Sequence, residues 1–180
     1  INFSGNVGDR NNLLTIVATA YTAIKFGATV TTANANNNNI DINGPVIITA
    51  NSTFDTSAND GTIDFSSTIN SEGSETNDLT LKAKGGTIKV NGIIGGSQNI
   101  GNLDINDGYA AGVGVITLTG VGGDGQVGIT GTVDVGHTGT AGIDLAGSYY
   151  NIDGITIFTT ASTADAVSYT HLRAHETTCH

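Results

Sequence analysis

The chain contains no Met and no Trp, and only one Pro and one Cys in 180 residues. A single cysteine excludes a disulfide framework within the chain and is compatible at most with an extracellular protein that avoids cysteine. Lys and Arg number six against 16 Asp and Glu, so the chain has no basic surface that could neutralise nucleic-acid phosphates. No apolar run approaches the length of a transmembrane helix. We therefore expect neither nucleic-acid binding nor membrane insertion.

The composition favours strands over helices. Thr, Ile, Val, Asn and 26 Gly dominate the chain, which suits short strands joined by tight turns, whereas residues that favour long helices do not recur at helical spacing. Hydrophobic residues make up 38%, enough to fill the core of one domain. The composition thus predicts an all-β fold. The opening "INFSGNVG" has neither a starting Met nor the build of a signal peptide, so we expect an internal fragment.

A seven-residue pattern recurs along the chain, with apolar residues at places one, three and seven and usually a small residue at place five. Because side chains alternate across a strand, the three apolar groups of each copy face one interior, and the small residue allows a corner. Each copy therefore predicts a strand, a corner and a second strand. The copies are "INFSGNV" (1–7), "IKFGATV" (24–30), "IDINGPV" (40–46), "IDFSSTI" (63–69), "IKVNGII" (88–94), "VGITGTV" (127–133) and "IDLAGSY" (143–149).

The first and third places of these copies define the predicted core, since they share one parity in every copy. The residues concerned are Ile1, Phe3, Ile24, Phe26, Ile40, Ile42, Ile63, Phe65, Ile88, Val90, Val127, Ile129, Ile143 and Leu145.

Weaker single strands fill the gaps between the copies, at 13–17, 79–83, 103–106, 116–120 and 155–158. No segment of helical period separates the strands, which excludes βαβ units. The even spacing of the strands predicts a parallel β-helix whose turns lie about 4.8 Å apart. A longer echo supports repetition: residues 1–8 and 13–17 recur at offsets of 87 and 89 residues.

These I-x-F-x-G-x-V-G and L-x-x-L-x-I units resemble the repeat arrays of filamentous-haemagglutinin-type and autotransporter-like bacterial surface adhesins, over nearly all of residues 1–165. The resemblance implies a single-stranded, right-handed parallel β-helix, here an uncapped fragment. It further implies a secreted or cell-surface protein that acts as a stiff stalk or an adhesive surface, without enzymatic activity. The partners implied are neighbouring repeats of the parent chain and host or environmental glycans or proteins.

The alternative function is that of a carbohydrate-active β-helix enzyme, a polysaccharide lyase or hydrolase. Such an enzyme needs carboxylates that converge with Lys or Arg, or a spaced carboxylate pair, in one groove. Charges on outward strand faces are most often solvated side chains, so we expect no catalytic groove. The available residues are Asp78 with Lys82, Lys84 and Lys89, or Asp60 with Asp64.

Two glycine-containing segments nominally match ligand-binding loops. "GVGGDG" (120–125) has the spacing of a dinucleotide loop, but a strand-like segment follows where that loop requires a helix, so we interpret it as a turn. In "NLDINDG", Asn102, Asp104 and Asn106 alternate, yet Gly falls one place late for an EF-hand and no Glu closes the loop. We expect no cofactor, and weak structural calcium binding by such turns remains open.

Three polar features favour structural roles. The Thr-rich segments 29–32 and 117–119 could form rows that bind ice, but the T-x-T pattern does not recur in every turn. The Asn run at 34–39 could stack as a ladder along the turns. His137 is interpreted as a lone turn histidine, and we assign it no role.

The C-terminal segment "VSYTHLRAHETTCH" (167–180) differs from everything before it. The spacing of His171, His175, Cys179 and His180 would suit a zinc site. However, the peptide resembles the translation of a transposase-type sequencing-library adapter, without a gap over 167–177. We therefore interpret 1–166 as the β-helix segment and 167–180 as a non-native tail, and expect no metal site.

Overall fold

The structure, a computed structural model, describes residues 1–8, 13–33, 38–106, 114–137 and 142–160. Its strands form three sheets in which all strand pairs are parallel. The described residues contain no helix long and apolar enough to cross a membrane. The one helical element among them is a short 3-10 turn, Ser57–Asn59.

Each sheet is built from strands that are distant in sequence. Sheet A contains, in spatial order, β1 (Asn2–Phe3), β3 (Ile24–Phe26), β6 (Val46–Ile48) and β9 (Ile69–Ser71). Sheet B contains β4 (Thr29–Thr31), β7 (Ser52–Asp55), β10 (Leu79–Lys82), β12 (Leu103–Ile105), β14 (Val133–His137) and β16 (Thr156–Thr160). Sheet C contains β2 (Thr15–Thr19), β5 (Asn39–Asn43), β8 (Ile63–Phe65), β11 (Ile88–Val90), β13 (Ile116–Leu118) and β15 (Ile143–Leu145).

The chain passes from sheet C to sheet A and then to sheet B, and each circuit adds one strand to sheets B and C. This arrangement is a β-solenoid of about six turns. The predicted all-β, parallel β-helix is therefore confirmed. The strands are short because small and polar residues such as Gly44, Gly92 and Gly147 form the corners; a Cβ at these glycines would lie 2.0, 2.2 and 1.6 Å from backbone atoms of an adjacent turn.

The cross-section changes along the axis. After β9, sheet A continues only as single pairs, which join Ile69 to Ile94, Ile94 to Val121 and Val121 to Tyr150. A second file of pairs, through Ile100, Ile129 and Ile152, lies between these residues and sheet B. In the last three turns, the short strand of sheet A is thus replaced by two single residue pairs with a bend between them.

Inward residues stack on residues of the same kind in the next turn. In sheet C, Ile40, Ile63, Ile88 and Ile116 are in register and fully buried. Burying one such side chain stabilises the fold by about 1.5–3 kcal/mol. Repetition of one rung over successive turns therefore builds one continuous core.

Four phenylalanines form a column through the first turns. The rings of Phe3 and Phe26 stack with centroids 5.0 Å apart. Phe26 meets Phe54 edge-on at 4.9 Å, and Phe54 meets Phe65 in the same way at 4.9 Å. Such pairs contribute about 0.5–1.5 kcal/mol each beyond the area they bury. Because the four residues come from all three sheets, the column connects the sheets at the centre of the solenoid.

Most of the predicted core is confirmed. Eleven of the fourteen residues are buried, and Phe3 and Val127 are half-buried. The prediction that Ile1 is buried was wrong. Its side chain is 56% exposed, because it lies at the edge of sheet A, where no described turn covers it. Val127 lies outside the strands, directly after the bend at 122–126.

The seven-residue pattern marks two different corners. Residues 24–30 pass from sheet A to sheet B, whereas 40–46 pass from sheet C to sheet A. The last copy departs from the prediction at its seventh place, because Tyr149 is 48% exposed and Tyr150 is buried instead. An extra residue at this corner moves the inward position by one. The two segments that repeat at an offset of 87 residues also lie in different sheets, since β1 belongs to sheet A and β11 to sheet C.

Candidate functional site

The outward face of sheet C carries a file of side chains in which charges recur. Neighbours in the file are one strand spacing apart, about 4.8 Å. Asp64 therefore lies between the carboxylate of Asp41 and the ammonium group of Lys89. From the first turn to the last, the file is Val17, Asp41, Asp64, Lys89, Thr117 and Asp144.

The carboxyl group of Asp64 has a pKa that clearly departs from its ordinary value. Burial raises the pKa of Asp64, Lys89 lowers it, and Asp41 raises it, with a net increase. The amide of Asn91 donates a hydrogen bond of 3.0 Å to Asp64 Oδ1, and that of Asn43 donates one of 2.9 Å to Asp41 Oδ1. Both carboxylates therefore already interact with neighbouring amides.

Asp78 belongs to a ladder of polar side chains at the corner that precedes sheet B. Asn51 Oδ1 accepts a hydrogen bond of 2.9 Å from the backbone N–H of Asp78, one turn later. Asp78 Oδ1 accepts one of 2.7 Å from the backbone N–H of Asn102, and Asn102 Oδ1 accepts one of 2.8 Å from that of Thr132. Each side chain thus satisfies a backbone donor of the next turn.

The amide groups of the same ladder converge on the Asp78 carboxylate. Asn51 Nδ2 donates to Asp78 Oδ2 at 3.2 Å, and Asn102 Nδ2 donates to Asp78 Oδ1 at 2.9 Å. We call Asn51, Asp78, Asn102 and Thr132 the corner ladder. Asp78 is accordingly an acceptor that connects three successive turns.

The other residues considered for catalysis lie on separate parts of the surface. Lys82 faces outward at the end of β10, in register with Asp55 of β7. Lys84 and Asp60 approach to 3.8 Å in the corner that follows sheet B, with side chains 47% and 51% exposed, so solvent screens the pair strongly. Lys89 and Asp64 lie on sheet C. The structure therefore distributes the candidate groups over two sheets and two corners.

The outward face of sheet B combines threonines with acidic residues. One file continues from Thr29 through Thr53 and Thr80 and then changes to Asp104 and Asp134. Of the two Thr-rich segments, 29–32 contributes Thr29 to this row of three threonines, and the parallel file contains Thr31, Asp55 and Lys82. Thr117 of segment 117–119 lies on sheet C, between Lys89 and Asp144. A regular two-file threonine surface is therefore not formed over these turns.

The segment 120–125 is a turn, as predicted. Gly123 and Gln126 exchange backbone hydrogen bonds of 2.8 and 3.3 Å, and Gly122 and Gly125 have φ values of 66° and 74°. Positive φ is readily adopted by glycine, which explains both residues. The chain continues to the Ile129 rung of the solenoid, so no helix follows this loop.

Two of the three residues considered for calcium, Asn102 and Asn106, already bind backbone groups. Asn106 is buried, has a φ of 54°, and accepts hydrogen bonds from the backbone N–H groups of Ala83 at 2.7 Å and Lys84 at 3.1 Å. Asn102 belongs to the corner ladder, and Asp104 faces outward on sheet B. Among the described residues, no three His, Cys, Asp or Glu side chains form a group that could hold a metal ion.

The Asn run at 34–39 is described only at its last two residues. Asn38 is buried and its amide donates a 3.2 Å hydrogen bond to Thr56 O. Asn39 Oδ1 accepts one of 2.9 Å from the backbone N–H of Thr62. Both contacts join successive turns. The longer polar ladder is the corner ladder at residues 51, 78, 102 and 132, whereas the sequence suggested Asp78 and Asn102 only as catalytic or calcium-binding candidates. The recurrence of Asn or Asp before a strand at intervals of one turn is the signal that could have located it.

His137 does not lie in a turn, contrary to the interpretation from the sequence. It is the last residue of β14 and is buried, with an exposed fraction of 2%. Its Nε2 contacts the carbonyl oxygen of Gly114 in the preceding turn. The same parity that places Val133 and Val135 inside also directs His137 inward.

Tyr150 is a second buried polar side chain that joins two turns. Its hydroxyl group donates to Leu118 O at 2.5 Å and accepts a hydrogen bond of 3.0 Å from the backbone N–H of Gly147. Burial raises the pKa of Tyr150, the bond from Gly147 lowers it and Asp144 raises it, with a net increase. The group thus favours its neutral form.

Residues 167–180, with His171, His175, Cys179 and His180, lie outside the described residues. Comparison of the chain with protein-family models, curated proteins and solved structures finds no match.

Proposed function

We propose that this chain is a structural segment of a long, stiff rod on a bacterial cell surface, which holds adhesive surfaces away from the cell. The observation that supports this proposal is that polar side chains at the corners form hydrogen bonds between successive turns. Asn51, Asp78 and Asn102 accept hydrogen bonds from backbone groups of the following turn, so these side chains bind turn to turn.

The distribution of charged groups agrees with this role. An active site holds a few titratable groups close together, so that they shift each other's pKa values. The residues considered for catalysis instead lie on two sheets and two corners. Asp41, Asp64 and Lys89 do share an outward file of sheet C, but the amides of Asn43 and Asn91 already bind its two carboxylates. Secretion, a right-handed coil and adhesion to glycans or proteins follow from the resemblance to surface adhesins and are part of the proposal.

The mechanical role can be tested by single-molecule pulling of the full chain between flanking marker domains. We expect high resistance and extension in steps of about one turn, because each turn contacts only its neighbours. Free extension at the lowest measurable force would contradict the rod. Weakening the corner ladder with Asp78→Ala should lower the force of the corresponding step.

Activity assays on acidic and neutral polysaccharides, with and without calcium, test the enzymatic alternative. We expect no cleavage. Reproducible cleavage that is abolished by Lys82→Ala in a folded protein would favour a carbohydrate-active enzyme. Glycan-array binding by the full chain tests adhesion separately.

A further inference from the structure

The sequence contains two Asn-Gly pairs, at 43–44 and 91–92, and the fold places both at the corner that leads from sheet C to sheet A. Asparagine is a chemically labile residue. A following glycine favours attack of its backbone nitrogen on the side-chain amide, because no Cβ shields that nitrogen and the backbone turns easily. In a folded protein this attack requires the peptide unit between the two residues to rotate. The two pairs differ in how firmly that unit is held.

The pair at 43–44 is bound to the turn before it. Asn43 is the last residue of β5 and is half-buried. Its carbonyl oxygen accepts a hydrogen bond of 2.9 Å from the backbone N–H of Ala20. Rotation of the peptide unit between Asn43 and Gly44 would therefore break a hydrogen bond between two turns, which costs free energy.

The pair at 91–92 lacks this restraint. Asn91 directly follows β11 and is exposed. Its backbone N–H donates to Phe65 O at 2.8 Å. Neither its carbonyl oxygen nor the N–H of Gly92 has a hydrogen-bond partner among the residues that the structure describes. The peptide unit between Asn91 and Gly92 can therefore rotate without the loss of a backbone hydrogen bond.

The other contacts of the two pairs are alike. Each side-chain amide donates to an aspartate of sheet C, at 2.9 Å from Asn43 and at 3.0 Å from Asn91. A Cβ at Gly44 would lie 2.0 Å from a backbone atom of the preceding turn, and one at Gly92 would lie 2.2 Å from such an atom. The exposure of Asn91 and its unbonded peptide unit are thus what distinguish the second pair from the first.

We propose that Asn91 is a site of spontaneous deamidation. The backbone nitrogen of Gly92 forms a bond to Asn91 Cγ, and the side-chain nitrogen leaves as ammonia together with the proton that the backbone nitrogen loses. The product is a cyclic imide. Water then adds to one of its two carbonyl carbons and opens the ring. One opening gives aspartate, and the other gives isoaspartate, which has an additional methylene group in the backbone.

The product replaces a hydrogen-bond donor with a carboxylate. Asn91 Nδ2 now donates to Asp64 Oδ1, and Asp64 has the carboxylate of Asp41 on one side and Lys89 on the other. A carboxylate at 91 cannot donate and would repel that of Asp64, since like charges on neighbouring strands destabilise a sheet. Deamidation therefore weakens the contact between the turns of β8 and β11. The reaction requires only the fold and water, so that it is independent of the proposed rod.

Peptide mapping of the full chain by mass spectrometry measures the reaction at both pairs. Incubation in mildly alkaline buffer made with heavy-oxygen water labels only those side chains that hydrolyse during the experiment. In the folded protein we expect Asn91 to be converted several times faster than Asn43. In urea the two rates should converge, because no neighbouring turn then holds either pair.

Two variants separate the site from its consequence. Asn91→Gln retains the amide but makes the ring larger, so residue 91 should stay unmodified while the rate at Asn43 is unchanged. Asn91→Asp reproduces one product and should lower the urea midpoint at neutral pH. Combined with Asp64→Asn, the same substitution should lower the midpoint less, since the like-charged neighbour is gone.

Equal rates at the two pairs in the folded protein would overturn the proposal. So would an unmodified Asn91 in folded protein under conditions in which the urea-unfolded chain reacts. A loss of stability in Asn91→Asp that Asp64→Asn leaves unchanged would overturn the assigned effect on Asp64.

Discussion

Asp64 lies directly opposite Asp41 on the outward face of sheet C, one turn further along the solenoid. Two carboxylates thus share one file at the spacing of adjacent strands. Like charges in this relation destabilise a sheet, by about 0.2–1 kcal/mol. Burial is the largest cause of the raised pKa of Asp64, and Lys89 on its other side lowers the pKa by more than Asp41 raises it. The net cost of the charge on Asp64 therefore comes mainly from its partial burial.

We predict that Asp64→Asn stabilises the protein at neutral pH. The pKa of Asp64 is higher in the folded than in the unfolded state, so protonated Asp64 favours folding below the unfolded pKa, and this contribution is lost as pH rises through the folded pKa. Because Asp64 is partly exposed and solvent screens its charge, the gain should be only a few tenths of a kcal/mol at about pH 7, and it should vanish below about pH 3. Urea unfolding at both pH values measures it.

Asp124→Asn, in the exposed turn at 122–126, is the matched control and should leave the urea midpoint unchanged. A lower midpoint for Asp64→Asn at neutral pH would show that the contacts of the carboxylate with Asn91 and Lys89 outweigh the cost of its partial burial.

The corner ladder predicts different effects for two substitutions of Asp78. Asp78→Ala removes the acceptor for the backbone N–H of Asn102 and should lower the free energy of unfolding by about 1–3 kcal/mol. Asp78→Asn retains an acceptor oxygen and should cost less than half as much. Thermal and urea unfolding of both variants give the comparison. Equal losses would show that the charge of Asp78, and not its acceptor geometry, stabilises the ladder.

The buried hydroxyl group of Tyr150 predicts a loss of stability at alkaline pH. Because its pKa is raised in the folded protein, the neutral form supports folding, and this support is lost as pH rises through the folded pKa. Tyr150→Phe should cost about 1–3 kcal/mol near neutral pH, since the hydrogen bonds of its hydroxyl group to Leu118 O and from Gly147 N–H are lost inside the core.

The alkaline part of this prediction is checked by the pH dependence of the urea midpoint, which should become less steep in Tyr150→Phe. Tyr149→Phe, at a neighbouring side chain that is 48% exposed, is the control and should retain the wild-type slope. Identical slopes in both variants would exclude Tyr150 as the source.

The glycines at tight corners predict position-dependent effects of alanine. A Cβ at Gly147 would lie 1.6 Å from Thr119 O, and one at Gly61 would lie 1.7 Å from Asn38 O. Gly147→Ala and Gly61→Ala should therefore each cost about 1–3 kcal/mol, because backbone must shift. Gly73→Ala meets nothing within 4 Å and should be neutral. Equal thermal midpoints for all three variants would contradict the close approach of the turns.

The sequence determined the fold class of this protein. Alternation of apolar side chains over short segments such as Ile40–Ile42 and Ile63–Phe65 depends only on the period of a strand, and it correctly predicted eleven of the fourteen core residues as buried. Glycine-rich turns without an intervening helix correctly predicted parallel, repeated turns. These features are local, so a single pass along the chain can detect them.

Only the tertiary structure decided which segments stack. The seven-residue pattern is the same at the corner from sheet A to sheet B and at the corner from sheet C to sheet A, so the pattern could not assign a copy to a sheet. The exposure of Ile1, the inward position of Tyr150 and the burial of His137 depend on the neighbouring turn.

The polar contacts show the same division. The sequence indicated that Asn and Asp occupy the turns, but pairing Asn51 with Asp78 and Asp78 with Asn102 requires the length of each turn, which varies along the chain. Residues that are 27 and 24 positions apart become neighbours because one circuit of the solenoid separates them. Strand period is thus a property of the chain, whereas register is a property of the packed turns.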